Sequence, residues 1–207
     1  MSDSDKRKFR RLNTTWLVRM REKSPMEVQE LTEKGKEAKA YNVSLGGIFV
    51  DTNMPFPTGA YLEMDLSIPG YPEALTVVGI VKWSNTTRSI DLPIGMGVEF
   101  LEVSTKNKTI IEKFVETKSA NEIFKKLTAN VLKQNILKLY CKKGGEQFKI
   151  KDLAKSLNEA EESFAKVLKD FEEHKLIQFV SQDEIKFIPA TDKTIASLIQ
   201  EWFKKQT

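Results

Sequence analysis

Two short stretches carry residue types and spacings that could do chemistry. The first is Lys6-Arg7-Lys8-Phe9-Arg10-Arg11. It holds three of the six arginines in a chain whose other 27 basic residues are lysine. Arginine presents a planar fork that matches phosphate oxygens or the O6/N7 edge of guanine in two parallel hydrogen bonds, a geometry lysine cannot copy. The plain alternative is a basic tail that aids solubility. The second stretch runs from Tyr41 to Val50 as Tyr-Asn-Val-Ser-Leu-Gly-Gly-Ile-Phe-Val. Asn42 and Ser44 are two apart, so on an extended chain they leave the same face. Gly46 and Gly47 carry no Cβ and permit a sharp turn or the close approach of a ligand. Taken alone, this stretch also reads as a hairpin turn with an Asx or Ser cap.

Catalytic chemistry finds little support. His174 is the only histidine and stands beside Glu172 and Glu173 at the end of an expected helix, where a capping or solvated imidazole is favoured. The single cysteine, Cys141, excludes an internal disulfide and a cysteine metal cluster. It reads as a packed helical residue. Gly95-Met96-Gly97 lacks the rest of a dinucleotide fingerprint. There is no triad, metal-ligand spacing or phosphate loop, so the expectation is a protein that is not an enzyme and uses no cofactor.

The flanking elements are strands. Thr14 to Arg21 is rich in Thr, Trp and Val. Residues 60 to 68 alternate, with Leu62, Met64, Leu66 and Ile68 on one face. In Leu75 to Ser84 the alternation puts Val77, Gly79, Val81 and Trp83 together. In Ile94 to Leu101 it groups Met96, Val98 and Phe100. Short strands separated by turn signals predict a small antiparallel β-barrel. The three tryptophans, Trp16, Trp83 and Trp202, read as core or barrel-end residues.

From Ser104 the period changes to that of helices, with Ile110, Ile111, Phe114 and Val115. Ser119-Ala120-Asn121-Glu122 has the form of a capping box, which places a domain boundary near 118. Residues 119–207 then read as helix, short strand, helix, turn, helix, hairpin and helix. Asn158 is expected to cap the helix burying Phe164, Leu168 and Phe171, and Thr191 the last one. The fold class is thus two-domain: a barrel over 1–118, followed by a mainly α, winged helix-turn-helix-like domain over 119–207.

With both stretches in place, the N-terminal domain resembles the PilZ family. Arg7 and Arg11 match its RxxxR signature, and Asn42, Ser44 and Gly47 match its (D/N)xSxxG signature. The segments Gly79-Ile80-Val81-Lys82-Trp83 and Gly95 to Phe100 look like its closing strands, and the similarity spans about residues 6 to 117. The resemblance implies a receptor for the bacterial second messenger cyclic di-GMP. Its arginine segment (Arg7, Lys8, Arg10, Arg11) would clamp the ligand from one side and its Asn42, Ser44, Gly46 and Gly47 turn from the other. Lys8 stands where many relatives have another arginine. Ordering of the N-terminal tail around the ligand would then change the surface that a partner sees.

For the second domain, a protein partner is the first reading and DNA the second. Residues 120–207 contain 16 lysines, 13 acids and no arginine, and arginine is the commonest base reader. A net charge of +4 over 207 residues is too mild to imply nucleic acid. No hydrophobic run is long enough to span a membrane, and the expected location is the cytoplasm.

Overall fold

The computed structural model describes residues 11–23, 36–87 and 94–206. The chain divides into two compact units, Met1–Val115 and Glu116–Thr207.

The first unit is a closed antiparallel barrel. Its strands are β2 (Leu17–Glu22), β3 (Lys36–Ser44), β4 (Gly47–Asp51), β5 (Tyr61–Ser67), β6 (Leu75–Asn85) and β7 (Gly95–Val103). The order is β3-β2-β5-β6-β7-β4, and β4 pairs back onto β3. A short strand, β1 (Leu12–Asn13), adds to β3 beyond the end of β2, with Leu12 opposite Val43 and Asn13 opposite Asn42. The strand expected from Thr14 to Arg21 starts only at Leu17 and runs to Glu22, and the two residues of β1 ahead of Thr14 meet β3 in a different register.

Alternation explains the interior. Val18, Met20, Leu62, Met64, Leu66, Val77, Val81, Met96 and Val98 all point inward and are almost fully buried, each contributing about 1.5–3 kcal/mol. Their neighbours face water, and the outer wall of β2 is tied by ion pairs from Arg19 to Glu37 and from Arg21 to Glu63. These two arginines are used by the fold.

The helix α1 (Thr105–Leu127) follows. Ser104 caps it by accepting from the Asn107 amide at 3.1 Å. Its first half joins the barrel's core through Ile111 and Val115, and Phe114 meets the fully buried Trp16 edge to face at 4.9 Å. Ala120, Ile123 and Leu127 belong to the other unit's core. The expected break at Ser119 is absent. Asn121 sits inside the helix and donates its side-chain amide to the Thr117 carbonyl. The helix runs unbroken from Thr105 to Leu127, so the capping-box residues are simply helical.

The second unit contains α2 (Val131–Lys143), β8 (Gln147–Lys149), α3 (Ile150–Ser156), α4 (Glu161–Glu173), β9 (Ile177–Phe179), β10 (Glu184–Phe187) and α5 (Lys193–Lys204). Its strands form an antiparallel sheet in the order β8-β10-β9. Phe164, Leu168 and Phe171 from α4 pack with Leu176, Ile185 and Phe187 in the core. Two caps differ from expectation. Asn158 takes a left-handed conformation (φ 56°) that ends α3, and Ala160 begins α4 without a side-chain cap. Asp192, not Thr191, caps α5, accepting from the amides of Thr194 (2.8 Å) and Ile195 (3.1 Å). Asp192→Ala is expected to cost about 1 kcal/mol, read as a lower denaturation midpoint with an unchanged slope.

Candidate functional site

The barrel's outer wall over β3, β4, β7 and β6 holds a cleft of about 340 Å³. Two irregularities in the sheet create it. Between Ala40 and Asn42 the β3–β4 register shifts, leaving Tyr41 as an extra residue. Ala40 and Val43 are both buried, so the extra residue changes which positions face outward and leaves Asn42 on the cleft. Between Val81 and Trp83 the β6–β7 register shifts in the same way at Lys82. Trp83 therefore does not share the inward face of Val77, Gly79 and Val81, as strict alternation predicts. It lies outside, half-buried, on the wall of the cleft. Such bulges commonly re-aim side chains beside functional sites.

The floor is built from two rows that run across the strands. One row reads Asn42, Phe49, Gly97, Trp83 and the other Ser44, Gly47, Glu99. Phe49 and Trp83 stack nearly parallel, with centroids 5.2 Å apart and 13° between planes. Gly97 lies against the indole, and a Cβ there would overlap the ring. Gly47 has a stricter reason to be glycine, because a Cβ would run into the backbone carbonyl of Val98 on β7. The residue expected to let a ligand close thus lets a neighbouring strand close. Gly47 also opens β4, leaving only Leu45 and Gly46 between the strands. Ser44 is buried and organises that turn, its hydroxyl accepting from the Gly46 amide and donating to the Gly47 carbonyl, both at 3.3 Å.

Arg11 is positioned by β1. With Leu12 opposite Val43, Arg11 comes level with Ser44 one residue further along, and it lines the cleft. The structure therefore brings Arg11, Asn42, Ser44, Gly46 and Gly47 together. Arg7, Lys8 and Arg10 lie outside the described residues. Lys82, Trp83, Phe49, Gly97 and Glu99 also line the cleft and were not picked out as site residues from the sequence. The signal that could have found them is the glycine–tryptophan pairing of the last two strands, legible only once the bulge is known.

The cleft mixes cations (Arg11, Lys82), neutral hydrogen-bonding groups (Asn42, Ser44), an aromatic face and one carboxylate (Glu99). That set suits a flat heterocycle carrying phosphate. Among the described residues no group of three or more His, Cys, Asp or Glu side chains is placed to hold a metal ion. No helix among them is long and apolar enough to cross a membrane. Burial pushes the Cys141 thiol above its ordinary pKa, which disfavours the nucleophilic thiolate.

Several solved structures are similar to part of this chain. One is the Bacillus subtilis inhibitor of motility (MotI/DgrA), with a TM-score of 0.45 and 17% identity over 56% of this chain and 52% of that one. This chain thus spans about half of that protein. Another is the PilZ domain of YcgR from Escherichia coli with c-di-GMP, with a TM-score of 0.42 and 13% identity over 58% of this chain and 96% of that one. None of the curated proteins matches. Residues 5–117, more than half of the chain, match the PilZ domain, and the chain belongs to the PilZ domain family.

Proposed function

We propose that this protein is a receptor for cyclic di-GMP that passes the binding event to a protein partner. The observation that carries the reading is the meeting, in one cleft, of Arg11 with Asn42, Ser44 and Gly47. These residues stand some thirty positions apart in sequence, and β1 and the β3–β4 turn set them side by side. In this reading Arg7 and Arg11 hold the ligand's phosphates and guanine edges, Asn42 and Ser44 hydrogen-bond a guanine, and Trp83 offers a base its ring face. Binding draws the segment from Arg7 to Arg11 onto the cleft, and the altered surface is what a partner reads.

The second unit is read as a winged-helix-like module for protein contact. Its element order and the β8-β10-β9 sheet support that architecture. The exposed positions of α4 include Glu161, Glu162, Glu172 and Glu173 against Lys166 and Lys169, a poor face for the major groove. A cyclic di-GMP-controlled DNA-binding regulator is the alternative, and a salt-dependent mobility shift with duplex DNA would favour it.

Calorimetric titration of the full chain with cyclic di-GMP tests the receptor reading. Micromolar or tighter binding is expected, with the ratio of one ligand or an intercalated pair read directly. An absence of heat and of competition would remove it. Limited proteolysis addresses the switch: cleavage within residues 1–12 should slow when ligand is added, and equal rates would exclude ordering of that segment.

A further inference from the structure

The row Ser44–Gly47–Glu99 ends in a carboxylate, an unexpected group in a cleft for a doubly anionic ligand. Glu99 is half exposed on the cleft wall, and Lys82 holds it through an ion pair of 3.2 Å. Lys82 is the extra residue of the β6 bulge, so the irregularity that turns Trp83 outward also supplies the cation that steadies Glu99. At the far end of the same row stands Arg11, level with Ser44. Between the two charges lie only a serine and a glycine. The row is therefore a shallow trough with a cation at one end and a carboxylate at the other, separated by three strand spacings, or roughly 14 Å. That span is comparable with one nucleotide from phosphate to base edge.

The polarity matters. An ionised carboxylate only accepts hydrogen bonds, and its two oxygens can take two parallel N–H groups. Guanine presents such a pair, N1–H and the 2-amino group. Adenine presents an acceptor at N1 and no 2-amino group. Asn42, with one donor and one acceptor, can turn its amide to suit either base. We infer that Glu99 is a specificity-determining residue that reads the N1–H/2-amino edge of guanine and rejects adenine by leaving its N1 lone pair facing a carboxylate. The inference rests on the cyclic di-GMP reading of the cleft and adds the residue that selects the base.

The test is calorimetry on the full chain with cyclic di-GMP and cyclic di-IMP, whose bases differ only in the 2-amino group. Wild type should prefer cyclic di-GMP by about tenfold or more. In Glu99→Gln the preference should collapse toward equality, through weaker cyclic di-GMP binding. Three outcomes overturn the assignment: no preference in wild type, a preference that survives Glu99→Gln and disappears in Asn42→Ala, or tighter cyclic di-GMP binding by Glu99→Gln, which would make Glu99 merely repulsive. Wild type that binds neither nucleotide removes the receptor reading itself, an outcome distinct from these three. Glu99 is a surface residue, and equal melting curves for wild type and Glu99→Gln establish that a change in preference is not a loss of fold.

Discussion

Replacing Arg7 and Arg11 together by alanine is expected to weaken cyclic di-GMP binding by at least about a hundredfold, with no change in the barrel's stability. In the proposed reading each arginine would supply charge-assisted hydrogen bonds worth about 1.5–3 kcal/mol, and losing two such partners would move affinity by several powers of ten. Arg11 is exposed and lies outside the apolar core. Its truncation should therefore stay within about 0.5 kcal/mol in unfolding free energy. Calorimetry and a melting curve on the same preparation give the two quantities. Retained binding in the double variant would place the phosphates elsewhere, for instance on Lys82. Lost binding accompanied by a lower melting temperature would mean that β1 had come away and the effect was indirect.

Gly47→Ala is expected to have the largest effect on stability, about 2–3 kcal/mol. The added methyl meets the carbonyl oxygen of Val98 and also presses on the Cα of Glu99 at 3.3 Å. Both are backbone atoms, and neither can yield unless β4 and β7 separate. These strands are paired from Gly47–Glu99 to Val50–Met96, and they help close the barrel. Gly97→Ala is the instructive contrast. There the new methyl meets the indole of Trp83, a side chain at the surface that can swing away. The barrel should survive and the cleft should lose its aromatic wall, so binding falls while the denaturation midpoint holds. Equal stability losses at the two glycines would show that Trp83 is as fixed as the backbone.

The barrel was legible because its inner face follows a simple rule. Leu62, Met64 and Leu66 alternate with Glu63 and Asp65, and a chain that buries one face of every strand must close or pair its edges. The two motif stretches were legible because glycine pairs and clustered arginines stand out against a lysine-rich background. The other half of the cleft was not. Trp83 was assigned inward because alternation was carried through Lys82, and one unpaired residue reverses that assignment. A bulge is a property of two strands together, and nothing within Gly79 to Trp83 alone announces it. Glu99 was invisible for a related reason, since it becomes a site residue only by standing across Gly47 from Ser44. Arg19 and Arg21 serve cross-strand ion pairs, so rarity alone did not mark an arginine for ligand. In the second unit the caps moved by one or two positions: Asn158 ends one helix where it was expected to begin another, and Asp192 takes the place expected of Thr191.

The helix α1 sets the terms for taking the protein apart. Its residues through Val115 complete the barrel's core, and those from Ala120 complete the other unit's. Only residues 116–119 are claimed by neither interior. A truncation meant to isolate the barrel half must stop within those four positions, because cutting earlier strips Val115 from the barrel's core. Isolating the C-terminal half requires a start in the same interval. Either piece then carries a helical stub of roughly a dozen residues, a length that does not hold in water without packing. Each stub keeps its own apolar contacts and should stay folded, so separated halves cut there are suitable for asking which one a partner recognises.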